Sequence, residues 1–170
     1  MERSAIETIL AALEEAGVRY VVAGGVAVVL HGHLRFTADL DLVLALQRDN
    51  VLAALAALRR LGYQPRAPVA LEQFADQEVR TSWTRDEDMK VFSLWSDAFP
   101  GTDVDLFAEE PIPFVELVAR AKHVPLATTA VTIASIPDLI RMKRAAGRPQ
   151  DLADVAALEA IAQEATDERH

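Results

Sequence analysis

The stretch Val22-Ala23-Gly24-Gly25-Val26-Ala27, followed by Arg35-Phe36-Thr37-Ala38-Asp39-Leu40-Asp41-Leu42, decides how this chain is read. Val18 to Ala23 is a β-branched and aromatic run, the composition of a buried strand. Gly24-Gly25 turns the chain into a short apolar helix, Val26 to Leu30, closed by His31-Gly32. From Thr37 to Leu44 the pattern alternates, with Asp39 and Asp41 on one face and Leu40, Leu42 and Leu44 on the other, which is a strand by period.

Aspartate is depleted in strands, so two of them at i and i+2 require a reason. Period two aims both carboxylates to one side, where they repel each other, and a divalent cation resolves the repulsion. Hard oxygen ligands suit Mg²⁺ or Mn²⁺. A second strand repeats the pattern in Asp103-Val104-Asp105-Leu106-Phe107 and offers a third carboxylate. Three carboxylates can hold two metal ions against a triphosphate, one activating the attacking hydroxyl and one neutralising the pyrophosphate. Taken alone, the Asp39–Asp41 pair suits a solvated sheet face equally well, and Asp103 follows Pro100-Gly101 at a strand start. Gly24-Gly25 tips the balance. A glycine pair between a buried strand and a helix lets backbone N–H groups approach a phosphate, at a helix end whose dipole favours anions.

Outward from this core, Ser4 and Glu7 form a capping box for a first helix carrying Ile6, Ile9, Leu10 and Leu13, ended by Gly17. A helix runs from Asp49 or Asn50 to Leu61 and stops at Gly62. Residues 63–88 are poorly signed, with a short helix around Leu71 to Phe74. Met89 to Trp95 and Thr102 to Phe107 read as strands. Pro111 and Pro113 open a helix to Lys122, and Val124 to Ala127 with Val131 to Ala134 form a hairpin. Pro137 starts a helix to Ala146, Gly147 ends it, and Pro149 opens the last helix, whose acidic tail from Glu164 reads as frayed. The expected fold is α/β (α+β), a small mixed sheet flanked by helices. A core over residues 1–135 and a helical section over 136–170 make a single domain.

Composition narrows the function classes. The 170 residues carry 17 Lys+Arg against 26 Asp+Glu, a net charge of −9, with no cysteine. Disulfides and thiolate metal sites are excluded. An acidic chain is not built for sequence-independent nucleic-acid binding, which rests on basic residues neutralising phosphates. The N-terminus lacks the pattern of a signal peptide and no apolar run reaches membrane-spanning length, so a cytoplasmic protein with no membrane partner is expected. The densest positive cluster is Arg141, Lys143, Arg144 and Arg148. There a phosphate contact competes with the plain complement of a helix C-terminus. Arg35 and Thr37 lie on the approach to the Asp pair, as phosphate contacts or as a solvated arginine and a strand-favouring threonine. His31 and His33 read as loop residues. Trp83 and Trp95 are candidates for base stacking, although Trp95 in a strand suits a core.

Together, the glycine turn and the Asp-x-Asp strand resemble the polymerase-β-like nucleotidyltransferase superfamily. They look most like the branch holding the AbiEii-type abortive-infection toxins and related small transferases. Asp105, in Val104-Asp105-Leu106-Phe107, matches the superfamily's third carboxylate better than Asp103. Asp138-Leu139-Ile140-Arg141-Met142-Lys143, with Gly147-Arg148-Pro149-Gln150-Asp151 and Asp154, is similar to the branch's C-terminal motif, in which a lysine and a following acidic residue belong to the active-site region. Many superfamily members carry Gly-Ser where this chain has Gly24-Gly25, which removes one hydroxyl contact to phosphate and leaves the backbone donors.

The resemblance implies a nucleotidyltransferase fold and transfer of NMP from an NTP such as ATP to an acceptor hydroxyl. Asp39, Asp41 and Asp105 would be catalytic and would bind Mg²⁺ or Mn²⁺. Gly24, Gly25 and Lys143 would bind the nucleotide, joined by Thr37 on the ground of its place on the approach to the Asp pair. As a toxin-like enzyme it would modify tRNA or another RNA and have a protein antitoxin. As an antibiotic-modifying enzyme it would take a small hydroxylated molecule such as an aminoglycoside. Nucleotidylation of a partner protein and a nucleotide-binding or interaction module without turnover are the further readings. The intact Asp-x-Asp argues against the last.

Overall fold

The computed structural model describes residues 3–169, with side chains from Ala5 to Arg169, so the Ser4 side chain of the expected capping box lies outside what is described. In chain order the elements are α1 (Arg3–Glu15), β1 (Tyr20–Ala23), α2 (Gly24–Leu30), β2 (Asp39–Leu44), α3 (Arg48–Arg60) and β3 (Gln64–Pro65). A 3₁₀ turn (Leu71–Ala75) follows, then α4 (Gln77–Asp86), β4 (Val91–Trp95), β5 (Asp103–Phe107) and α5 (Phe114–Arg120). The hairpin β6 (Lys122–Pro125) and β7 (Ala130–Ile133) leads to α6 (Ile136–Ala146) and α7 (Pro149–Glu168).

The strands form one mixed sheet in the order β3-β4-β5-β2-β1-β7-β6. At its centre β2 runs antiparallel to β1 and parallel to β5. That choice of directions is what assembles the site. The C-terminal end of β1, where the glycine turn begins, meets the N-terminal end of β2, and Ala23 lies opposite Asp41. The parallel pairing sets Asp39 beside Asp103 and Asp41 beside Asp105. Strand alternation then sends Leu40, Leu42, Val104, Leu106, Phe92 and Leu94 to the other face, where all are essentially buried. Each such side chain contributes about 1.5–3 kcal/mol, enough together to fix the register and hold the carboxylates in line on the half-open face.

The expected elements are present, with informative differences. Residues 63–88 contain α4, a helix that periodicity does not reveal because only Arg80 and Trp83 on it are buried. Its start is capped by the Asp76 carboxylate, which accepts from the N–H groups of Glu78 and Val79 at 2.9 and 3.3 Å. α5 stops at Arg120, because Lys122 already pairs with Ile133 in the hairpin. α6 begins earlier than Pro137, where the Ser135 hydroxyl accepts from the Asp138 N–H, and Gly147 closes it in a left-handed conformation (φ 68°). The acidic tail is not frayed at Glu164. α7 continues to Glu168, held by bonds such as Gln163 to Asp167 at 3.0 Å.

Candidate active site

Four aspartates share one face of β2 and β5, and they are not equivalent. Asp41 is the most perturbed. Burial, then the Asp105 charge, then Asp39 push its carboxyl up to about 7, while Lys143 and Arg148 pull the other way. Burial also raises Asp105, assisted by Asp39 and Asp103, whereas hydrogen bonds with Ser93 and Asp41 oppose the rise. The two carboxyls therefore hold protons more tightly than ordinary aspartates and titrate as a coupled pair. Asp39 is raised by burial and by Asp103, and Arg66 tempers the effect. Asp103 itself is engaged. The Arg66 guanidinium donates to both its oxygens, at 2.7 and 2.9 Å. Asp103 thus serves as the partner of Arg66, which leaves Asp105 as the third carboxylate beside Asp39 and Asp41.

Gly24 presses on this group. It has φ 63°, and a Cβ built on it would lie 1.8 Å from Asp41 Oδ2. Only a residue without a side chain lets the turn backbone approach that carboxylate. Gly25 is equally crowded from the other side, with a would-be Cβ 2.4 Å from Thr37 Oγ1. Among the described residues, no group of three or more His, Asp or Glu side chains is placed to hold a metal ion as it stands.

The C-terminal helices bring a second charged cluster to the same place. Asp154, with no exposed surface, accepts from Arg35 Nε and Nη2 at 2.8 Å each and from Gln150 at 3.0 Å. Lys143 Nζ sits 2.9 Å from Asp154 and 3.3 Å from Asp151, and Arg148 Nε donates to Asp151 at 2.8 Å. Burial raises both carboxyls, but the hydrogen bonds from Arg148 and Lys143 to Asp151, and from Arg35 and Lys143 to Asp154, outweigh it. Both end below the ordinary range. Three cations face two anions, so one positive charge is left over near Asp41.

No protein-family model matches the chain, and no curated protein matches it. Among solved structures it resembles the lincosamide antibiotic adenylyltransferase LnuA with lincomycin bound. The TM-score is 0.65 at 15% identity, covering 95% of this chain and 98% of that one. It also resembles ANT(2″)-Ia in complex with adenylyl-2″-tobramycin, with TM-score 0.52, 16% identity, and coverage of 92% and 96%. The solution structure of the antibiotic-resistance factor ANT(2″)-Ia gives 0.51 and 16%, over 98% and 97%. The chain has the nucleotidyltransferase fold.

Within that fold, the glycine turn, Asp39, Asp41, Asp105, Thr37 and Lys143 all gather at one end of β2. Arg35 is not a solvated side chain but the strap from the 34–37 loop to α7. Asp154, named from the sequence only as part of the C-terminal motif, is the hub that receives it. The available signal was the 3-residue spacing of Asp151 and Asp154, which places both on one helix face. Trp83 is no stacking wall, since it is buried against Phe92 with ring centroids 5.2 Å apart. Trp95 is half-buried under the Arg66 guanidinium. His31 Nε2 donates to the Ala134 carbonyl at 2.8 Å, so the two histidines form no metal pair. An apolar cleft of about 490 Å³ opens beside the turn, lined by Val26, Val29, Leu30, Phe36 and Thr37.

Proposed function

We propose that the protein is a nucleotidyltransferase that moves NMP from an NTP to an acceptor hydroxyl and releases pyrophosphate. The observation that carries this reading is the pairing of Asp41 with Asp105 on parallel strands, beneath a glycine whose missing side chain lets the turn reach Asp41. The site suits a divalent cation, Mg²⁺ or Mn²⁺, held by Asp39, Asp41 and Asp105. The donors are hard oxygens, and their raised proton affinities record burial first and mutual repulsion second, both of which a bound cation would offset. Mg²⁺ needs only one or two protein carboxylates and completes its shell from water and substrate phosphates. Bound there, the cation would neutralise the triphosphate and acidify the attacking hydroxyl.

The chain's own residues do the rest. Backbone N–H groups at Gly24 and Gly25 cradle phosphate, and the surplus positive charge of the Lys143 cluster offsets its charge. Asp105, made more basic by burial, accepts the proton of the acceptor hydroxyl. The acceptor oxygen bonds to the α-phosphorus as the bond from that phosphorus to the β-phosphate oxygen breaks, and the electron pair leaves with pyrophosphate.

For the acceptor we favour a small hydroxylated molecule. The net charge of −9 and the acidic strip of Asp39, Asp103 and Asp105 suit a cationic one, and both structural neighbours are named with antibiotics. The similarity of the Lys143–Asp151–Asp154 segment to the abortive-infection branch supports a second reading, a tRNA or other RNA acceptor with a protein antitoxin. The acidity works against it. No described helix is long and apolar enough to cross a membrane, and a cytoplasmic supply of NTP fits the reaction.

The test is incubation with α-labelled and, separately, γ-labelled NTPs, Mg²⁺, and an aminoglycoside, a lincosamide or bulk tRNA. Transfer of the α-label alone, lost in Asp41→Asn, is expected, and the labelled product names the acceptor. Binding of NTP without transfer to any acceptor would instead support a nucleotide-binding module.

A further inference from the structure

Gly24 and Gly25 look alike in the sequence but are glycines for different reasons. Gly24 has a left-handed backbone, which disfavours any side chain. Gly25 does not, so its backbone would accept an ordinary residue. What forbids one is Thr37. A Cβ at position 25 would lie 2.4 Å from Thr37 Oγ1, 2.9 Å from Thr37 Cβ and 2.9 Å from Arg35 Nη2. The space of a side chain at 25 is therefore filled from across the turn, and the atom nearest that position is a hydroxyl.

We propose that the Thr37 hydroxyl is the side-chain phosphate ligand of the glycine turn, standing where a residue-25 side chain would otherwise reach. This rests on the nucleotidyltransferase reading above. Three observations favour Thr37 over its neighbours. Its hydroxyl makes no hydrogen bond among the described residues and is only partly exposed, so its donor is available. Arg35 is committed, with Nε and Nη2 on Asp154 and Nη1 on the Phe36 carbonyl at 2.7 Å. Thr37 also stands against Gly25 as Asp41 stands against the adjoining Gly24, so the hydroxyl and the carboxylate press on the same turn. Position 25 and position 37 are then one functional unit. The glycine is the space, and the threonine supplies the chemistry.

The experiment compares the wild type with Thr37→Val, which keeps the shape and removes the donor, and Thr37→Ser, which keeps the donor. It also includes Gly25→Ser alone and combined with Thr37→Gly. The readouts are the Kd of a non-hydrolysable NTP analogue in Mg²⁺ by calorimetry, and KM and kcat of transfer, with circular dichroism to confirm folding. Loss of a hydrogen bond to a charged phosphate predicts roughly tenfold weaker binding for Thr37→Val, with Thr37→Ser within about twofold of wild type. Gly25→Ser alone loses binding through the clash, and adding Thr37→Gly restores it. Thr37→Val binding like wild type would overturn the proposal, as would Gly25→Ser binding normally while Thr37 is intact. If the wild type binds and transfers, such a result sinks the role of Thr37 alone. If the wild type binds no NTP, both readings fall. Should Gly25→Ser unfold, the Val and Ser variants decide.

Discussion

Two regions of this molecule bury carboxylates side by side and treat them in opposite ways. At the head of β2, Asp41 and Asp105 face each other with no lysine or arginine among the described residues bonded to either, and their proton affinities rise. A few residues away, Asp151 and Asp154 are at least as buried, but Lys143, Arg35 and Arg148 hold them, and their proton affinities fall. The same burial penalty is left standing in one place and compensated in the other. The uncompensated pair is the part built to receive a partner, and the compensated cluster is the part built to stay still.

The strongest way to break this contrast is Asp41→Asn. If Asp41 serves the reaction at the expense of the fold, the variant loses transfer by roughly a thousandfold or more and becomes more stable. The sign follows from proton binding. A carboxyl raised from 3.8 to about 7 binds more protons folded than unfolded between those values, so stability falls as pH rises through that window. The penalty, at most about 4 kcal/mol, is fully present above pH 7. Thermal melts without divalent ions should show Asp41→Asn several degrees above wild type at pH 8, with a smaller gain at pH 5. Mg²⁺ should raise the wild-type melting temperature at pH 8 and leave the variant unchanged. A variant that melts lower than wild type at pH 8 would remove the distinction between the two regions.

Asp154→Ala probes the other side and should do the reverse. It strands Arg35 and Lys143 as buried cations, at a cost of about 3–5 kcal/mol, so the melting temperature falls by roughly ten degrees. Because the depressed carboxyl contributes stability above its unfolded value, wild type should lose that contribution as pH falls below 4, and the variant should not. An Asp154→Ala protein as stable as wild type would mean that α7 is not anchored through this cluster.

How much of this was legible beforehand follows from where each signal is stored. Alternation in Asp39-Leu40-Asp41-Leu42 and Asp103-Val104-Asp105-Leu106 is local, so both strands and their polar face were readable, as were the glycine turn and the proline-started helices. The parallel pairing that aligns Asp41 with Asp105 is non-local, and period two alone does not choose which strand lies beside which. α4 was hidden because it buries only two side chains. The Arg35–Asp154 strap spans 119 positions, and no window of sequence connects its ends. Acidic residues in the first turns of a helix have a local explanation, which concealed the tertiary one.

Gly24→Ala comes next in size. It adds a Cβ where Asp41 Oδ2 already stands and forces alanine into a left-handed backbone, which costs about 1–2 kcal/mol before the clash is counted. The carboxylate has to swing away, so activity should fall further than stability. The split can be read by comparing kcat with the melting temperature. Introduced into Asp41→Asn, Gly24→Ala should destabilise that variant about as much as it destabilises wild type, because asparagine has the same shape. A clearly smaller loss in the Asn background would show that charge, not space, is what the glycine accommodates.

The smallest expected effect is at the outer edge of the site. Arg66 grips Asp103 through two hydrogen bonds, but both groups are solvent-accessible, and such pairs add little to stability. Arg66→Ala should leave the melting temperature unchanged within error. It should still change function in a defined direction. Arg66 lowers the proton affinity of Asp39 and neutralises Asp103, so its loss makes the acidic strip more negative. A cationic acceptor should then bind more tightly, with lower KM, and the gain should fade with added salt. An RNA acceptor should bind less well. The sign of one KM change thus separates the two acceptor classes, at a residue that contributes almost nothing to holding the fold together.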